Sequence, residues 1–166
     1  MAAKVHNPLQ LTPELYQYLL DLSLRETPAQ QALRVATEAH PRARMLGAPD
    51  QVQLMCLILK LMNAKRGIEV GVFTGYTTLS FAQTVGADGR IVALDISDEF
   101  VSVGKPFWAQ AGVADRIDLR LQPASESLRQ LLESDGPNSF DFAFIDADKT
   151  GYDTMAPTRT NPTTLD

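Results

Sequence analysis

The chain has 166 residues, which is enough for one domain with a hydrophobic core and few for two. Its composition, 45% hydrophobic and 21% charged, is typical of globular proteins. A formal net charge of −5, without a cluster of lysine and arginine, argues against nucleic-acid binding. The longest apolar run, residues 54–62, is too short to cross a membrane, and no apolar signal segment opens the chain. With a single cysteine, Cys56, we expect a cytoplasmic protein without an internal disulfide.

The first part of the chain, residues 1–66, is predicted to be helical. Thr12 and Pro13 suit the N-cap and first position of a helix over residues 11–24, and Thr27 with Pro28 suits the start of another over 29–39. A third helix is predicted over residues 50–63. Leucine and tyrosine side chains form one apolar stripe on the first helix, namely Leu15, Tyr18, Leu19 and Leu22.

From Gly67 onward, short apolar runs alternate with helical patterns. The predicted strands cover residues 68–72, 91–96, 117–121 and 142–145, and the predicted helices cover residues 77–84, 98–111 and 125–133. Such alternation predicts an α/β fold with a parallel sheet and helices on both faces, so the strands should be buried on both sides. We predict one domain over residues 1–152, with its α/β part at 67–152, and an irregular tail at 153–166.

The segment over residues 68–78 is the strongest functional signal in the chain. A β-branched run passes through Gly71 and Gly75 and then becomes a helical pattern. In a strand that turns through glycine into a helix, backbone N–H groups point towards a ligand. Glycine permits a positive φ, or a close ligand approach that a Cβ would block.

Asp95 lies at the end of the second predicted strand, close to the roughly 20-residue offset from the glycine turn that an acidic ribose ligand shows. A carboxylate at this position can accept hydrogen bonds from both ribose hydroxyls. The glycine turn and Asp95 together predict an adenosine-type cofactor.

An adenosine-type cofactor at this site could be a nicotinamide dinucleotide or S-adenosylmethionine. A dinucleotide site normally carries the pattern G-x-G-x-x-G, which Gly71 and Gly75 do not form. Glu69 adds a carboxylate beside the turn, which is unfavourable near a pyrophosphate and favourable near a cation. Because S-adenosylmethionine carries an ammonium and a sulfonium and no phosphate, the sequence favours it over an oxidoreductase cofactor.

The fourth predicted strand ends in a second group of polar residues. Asp146 offers a carboxylate for a metal or an ammonium, and Lys149 offers an amine for proton transfer. A lysine near a divalent ion can have its pKa lowered enough to act as a base.

Four motifs in order resemble the cation-dependent class I O-methyltransferases, the caffeoyl-CoA and catechol O-methyltransferase group. They are Glu-Val-Gly-Val-Phe-Thr-Gly-Tyr-Thr at 69–77, Asp95, Lys-Pro-Phe-Trp-Ala-Gln-Ala-Gly at 105–112, and Ile-Asp-Ala-Asp-Lys at 145–149 with Tyr152. The similarity extends over residues 11–152.

The resemblance implies a Rossmann-like class I methyltransferase fold with a helical N-terminal extension. It also implies a homodimer that transfers a methyl group from S-adenosylmethionine to a catechol-type or phenylpropanoid acceptor, free or CoA-linked. Lys149 would be the base, and Asp146 would bind a divalent cation, Mg²⁺ by expectation. The implied donor-pocket residues are Gly47, Glu69, Gly71, Val72, Thr77, Asp95, Ala124 and Asp146.

The tail at residues 153–166 departs from this family pattern. The family continues with a helix, a fifth strand that completes the metal site, and two more strands, whereas this tail contains prolines and threonines and no apolar run. We therefore expect the last strands to be missing, the fourth strand to form an edge, and the metal site to be incomplete. On this expectation the chain binds the donor and is impaired as a catalyst. The alternative is a non-catalytic fragment that binds S-adenosylmethionine or a partner.

Overall fold

The computed structural model describes residues 10–147. Every helix and strand predicted within that range is present, with small shifts at the ends. In chain order they are α1 (Pro13–Ser23), α2 (Pro28–Glu38), α3 (Pro49–Leu61), β1 (Arg66–Val70), α4 (Tyr76–Thr84), β2 (Arg90–Asp95), α5 (Asp98–Gln110), β3 (Ile117–Leu121), α6 (Ala124–Asp135) and β4 (Phe142–Ile145). Short 3₁₀ turns lie at Ala43–Met45 and Ala114–Arg116. The predicted domain bounds, 1–152, extend past the described residues and stay a prediction.

The four strands form one parallel sheet in the order β3-β2-β1-β4. Helices α2 to α5 pack on one face, around a cluster that includes Leu33, Leu79 and Trp108. Helix α6 covers the other face, where Leu131 contacts a smaller cluster from β1 and β2. The α/β fold class, with helices on both faces of a parallel sheet, is confirmed.

Burial differs between the inner and the outer strands of this sheet. Apart from its first residue, β1 is fully buried, and β2 is buried between its two end residues. In contrast, β3 and β4 are half-buried to exposed along their length, so the prediction of burial on both faces is wrong for these two. The reason is their position, because within the described part of the chain each has a neighbouring strand on one side only.

The N-terminal helices begin where the sequence predicts. The Thr12 hydroxyl accepts a hydrogen bond from the Leu15 N–H, and Thr27 forms a capping box with Gln30. Helix α1 has no buried residue, however, and its apolar stripe is solvent-exposed, from 37% at Leu15 to 61% at Tyr18. The stripe therefore does not contribute to the core of the described chain.

Strand β1 carries a buried carboxyl group, that of Glu69, which is 1% exposed. Its Oε2 accepts a hydrogen bond of 2.6 Å from the Thr78 hydroxyl of α4. The pKa of Glu69 is raised to about 8, chiefly by burial, which the Thr78 hydrogen bond opposes and the negative charges of Asp95 and Asp146 reinforce. Glu69 is therefore mostly protonated at neutral pH.

This buried carboxyl group predicts a pH-dependent stability. Between the unfolded pKa of about 4.3 and the folded pKa of about 8, only the folded chain retains the Glu69 proton. The free energy of unfolding should fall as the pH rises through this window, by up to about 1.4 kcal/mol per pH unit. Glu69→Gln should remove that slope, as measured by chemical denaturation at a series of pH values. Glu133→Gln, in an exposed ion pair of α6, is the control. Equal slopes for the wild type and Glu69→Gln would contradict the assignment.

Candidate functional site

A cavity of about 770 Å³ lies at the carboxyl ends of β1, β2 and β4. Parallel α/β sheets bind their ligands at this edge, and the volume falls in the range of small-molecule sites. The wall is formed by the turn after β1, the end of β2, the first turn of α4, the start of α6 and the segment before α3.

The structure brings most of the predicted donor-pocket residues to this cavity. The ones that line it are Gly47, Gly71, Val72, Thr77, Asp95, Ala124 and Asp146. Glu69 does not line it, since its side chain is buried against Thr78 on the α4 side of β1. Lys149 lies outside the described residues.

Both glycines of the turn are required by neighbouring protein atoms. Gly71 has φ +93° and Gly75 has φ +79°, which are conformations that favour glycine. A Cβ on Gly71 would clash with the backbone carbonyl of Asp146, and a Cβ on Gly75 would clash with the indole of Trp108. From the sequence alone, these glycines could permit either a positive φ or a close ligand approach. Their positive φ values and these contacts explain why glycine is needed at both positions, without a ligand.

Helix α5 holds the turn from one side. The Trp108 indole N–H donates to the Gly75 carbonyl at 3.1 Å. Gly104, on the preceding turn of α5, lies so close to the Thr74 carbonyl that a Cβ there would clash. Trp108 and Gly104 were not predicted as site residues, although Trp108 lies within the 105–112 motif.

The Asp95 carboxylate holds the turn from the other side. Its Oδ2 accepts hydrogen bonds from the backbone N–H groups of Val72 at 2.8 Å and Phe73 at 2.9 Å. Its Oδ1 accepts from those of Ile96 at 2.7 Å and Ser97 at 2.9 Å. One side chain thus joins the turn after β1 to the turn after β2.

Aromatic and cationic side chains form the rim of the cavity beside Asp95. Phe73 and Phe100 pack edge to face with ring centroids 5.3 Å apart, and His40 packs edge-on against both. The Arg42 guanidinium lies 5.4 Å from the Phe100 ring centroid. No spacing signal in the sequence predicts this group, because its members come from three separate segments.

The first turn of α4 gives the cavity a positive electrostatic end. Gly75 is the N-cap residue, and no side chain in the described part of the chain caps this helix. Tyr76 and Thr77, its first two residues, line the cavity. Because free N–H groups at a helix N-terminus carry a partial positive charge, this wall suits an anionic ligand group such as a carboxylate.

The described residues do not form a metal centre. Among residues 10–147, no group of three or more His, Cys, Asp or Glu side chains could hold a metal ion. Asp146 lines the cavity, and its backbone carbonyl lies beside Gly71. The described helices also include none that is long and apolar enough to cross a membrane.

The chain is similar in sequence to O-methyltransferases. A caffeoyl-CoA O-methyltransferase from Eucalyptus gunnii is 44% identical over 149 residues, which are 89% of this chain and 60% of that protein. The chain therefore spans less than two thirds of the length of this relative.

Solved structures agree in fold. The O-methyltransferase TomG from Streptomyces achromogenes, in complex with SAM, matches with a TM-score of 0.72 and 26% identity over 86% of this chain and 65% of that one. The cofactor-bound protein Rv0187 from MTB matches with a TM-score of 0.74 and 30% identity over 89% and 68%. A sequence profile of the O-methyltransferase family matches residues 20–157, and the chain belongs to that family.

Proposed function

We propose that the cavity binds S-adenosylmethionine and that the protein transfers its methyl group to a hydroxyl of a small phenolic acceptor. The observation that carries this proposal is the joining of the glycine turn to Asp95 at the edge of the sheet, in a chain of the O-methyltransferase family. The name of the Eucalyptus relative supports a catechol-type or phenylpropanoid acceptor, free or CoA-linked.

The walls of the cavity suit the separate parts of this donor. The N-terminus of α4, at Tyr76 and Thr77, would bind the carboxylate of the methionine portion. Asp146 would face its ammonium or sulfonium, and Asp95 would lie beside the ribose. Gly47, Gly71, Val72 and Ala124 would enclose the remaining surface. Glu69 would not contact the donor. Its neutral carboxyl group would hold β1 and α4 together through the hydrogen bond with Thr78.

Methyl transfer requires few protein groups. The acceptor oxygen attacks the methyl carbon in line, the carbon–sulfur bond breaks, and the sulfonium becomes the thioether of S-adenosylhomocysteine. The acceptor hydroxyl gives its proton to a base, for which we propose the Lys149 amine. Holding donor and acceptor in one cavity supplies much of the acceleration through proximity.

A divalent cation at Asp146 would need further ligands from outside residues 10–147. Asp146 is the one metal ligand we propose, and residues 10–147 hold no group of three or more His, Cys, Asp or Glu side chains that could bind a metal, whereas a hard divalent cation takes about six oxygen ligands. No reaction step is therefore assigned to a metal ion, and donor binding should not depend on Mg²⁺. Impaired turnover and a cytoplasmic location also stay predictions.

The alternative is a chain that binds the donor without catalysing transfer. The two functions differ in one result, the formation of methylated product from S-adenosylmethionine and a catechol. Product formed by this purified chain in the presence of Mg²⁺ would refute the non-catalytic alternative.

Donor binding is tested by calorimetric titration of the chain with S-adenosylmethionine, with and without Mg²⁺. Ala124→Phe should fill part of the cavity and weaken binding about tenfold or more, since overpacking costs about 1–3 kcal/mol. Ser125→Phe, at the exposed neighbouring position, should bind like the wild type. Equal affinities for both variants would mean that the donor does not bind in this cavity. If the chain bound a nicotinamide dinucleotide and not S-adenosylmethionine, the result would favour an oxidoreductase over a methyltransferase.

We also propose that the chain forms a homodimer through α1 and α3. Both helices expose large apolar side chains, and contiguous exposed patches of this kind mark interaction sites. They are Leu15, Tyr18, Leu19 and Leu22 on α1 and Leu54, Leu57, Ile58 and Leu61 on α3.

Light scattering coupled to gel filtration tests the dimer. Leu57→Glu and Leu61→Glu should each shift the protein to monomer, because each places a charge in the proposed apolar interface. Val35→Glu changes a similarly exposed apolar residue on α2, outside the proposed interface, and should leave the dimer intact. A wild-type chain that elutes as a monomer would contradict the proposal.

A further inference from the structure

Two polar contacts join the segment that begins α2 to one face of α4. The Tyr76 hydroxyl donates to the Glu26 carboxylate at 2.7 Å. The side-chain amide of Gln30 donates to the Ser80 hydroxyl at 2.8 Å. Because residues four apart lie on the same face of a helix, both contacts hold α4 from one side.

Tyr76 connects these contacts to the wall of the donor cavity. It is the first residue of α4, is 3% exposed, and lines the cavity. The first turn of a helix carries the N–H groups that have no partner within the helix. The placement of Tyr76 therefore decides where these N–H groups lie relative to a bound carboxylate.

Glu26 is fixed in turn by an ion pair with Arg34 of α2. Its side chain is 8% exposed, and its Oε1 and Oε2 accept from the Arg34 Nε at 2.9 Å and 3.1 Å. Oε2 also accepts from the Nη2 at 2.9 Å. A guanidinium that contacts both oxygens of a carboxylate fixes its orientation. Glu26 does not line the donor cavity, so its effect on a bound donor would pass through the Tyr76 hydroxyl.

The last turn of α2 contacts the same wall. The Thr37 and Thr74 hydroxyl oxygens lie 2.7 Å apart, and both residues are fully buried. Thr74 belongs to the glycine turn and lines the cavity. Glu26 and α2 together thus contact the chain on both sides of Gly75, at residues 74 and 76.

We propose that Glu26 is a positioning residue of the donor site, which acts through the Tyr76 hydroxyl to place the first turn of α4 for the donor carboxylate. This proposal rests on the proposed function, since it takes S-adenosylmethionine as the ligand of the cavity. It gives α2 and the residue before its cap a part in donor binding, although none of them lines the cavity.

A double-mutant cycle between Tyr76→Phe and Glu26→Gln tests this role. Tyr76→Phe removes one hydroxyl and leaves the ion pair of Glu26 with Arg34 in place. Tyr16→Phe is the matched control, because the Tyr16 hydroxyl also donates to a carboxylate at 2.7 Å, that of Asp50, and Tyr16 does not line the donor cavity. The readouts are the free energy of unfolding and the calorimetric affinities for S-adenosylhomocysteine and for 5′-methylthioadenosine, which lacks the carboxylate.

We expect Tyr76→Phe and Glu26→Gln each to weaken binding of S-adenosylhomocysteine about fivefold or more. The double variant should bind no more weakly than the weaker single variant, because both changes break the same link. The affinity for 5′-methylthioadenosine should change by less than about twofold. Tyr16→Phe should lose stability as Tyr76→Phe does and bind both ligands like the wild type.

Three results would overturn the proposal. Unchanged affinity in Tyr76→Phe would make its contact with Glu26 structural only. Losses that multiply in the double variant would mean that the two side chains act independently. An equal loss in Tyr16→Phe, or an equal loss for 5′-methylthioadenosine, would mean that the effect is not specific to the carboxylate end of the cavity.

Two further points keep the test decisive. If Glu26→Gln does not fold, Glu26→Asp takes its place in the cycle, since it retains the charge and shortens the side chain. If the wild-type chain does not bind S-adenosylhomocysteine, the proposed function fails, and this is seen before any variant is compared.

Discussion

The structure depends on how the chain passes from β1 into α4. Between Val70 and Tyr76 it reverses direction through three positive-φ residues, so its N–H groups cannot all pair as they would in a helix or strand. The Asp95 carboxylate accepts from the N–H groups of Val72 and Phe73, and on the other side the Trp108 indole N–H donates to the Gly75 carbonyl. The cavity is the space that this braced turn leaves beside the carboxyl ends of the strands.

The bracing connects parts of the sequence that are far apart. Asp95 comes from β2 and Trp108 from α5, while the Asp146 carbonyl at the end of β4 leaves no room for a Cβ on Gly71. A substitution at any of these contacts would therefore change the shape of the turn and, with it, the wall of the cavity. Glu69 adds a further contact between β1 and α4, because its buried carboxyl group accepts a hydrogen bond from the Thr78 hydroxyl.

Local signals explain why the fold could be predicted from the sequence. The Thr12 and Thr27 caps define helix starts within a few residues, and short apolar runs between turn residues define the strands. The position of the cavity follows from the rule for parallel sheets. Gly71 and Asp95 could be assigned to the site on these grounds alone.

Other features depend on contacts that no local pattern encodes. The alternation of side chains along a strand places Glu69 on one face of β1. It does not predict whether that face contacts solvent, a ligand or a helix. The N–H groups of Val72 and Phe73 reach Asp95 only through the three-dimensional approach of two turns, and the rim around Phe100 joins three segments. The predicted base, Lys149, lies outside the described residues.

The central claim is that the braced turn and Asp95 form the donor site. It is tested most directly by following the backbone amide resonances of the chain during titration with S-adenosylmethionine. The amides of residues 71–75, Ile96 and Ser97 should shift together and saturate at one affinity, while Val35 on α2 stays unchanged. Saturable shifts confined to other surfaces, or none at all, would contradict the claim.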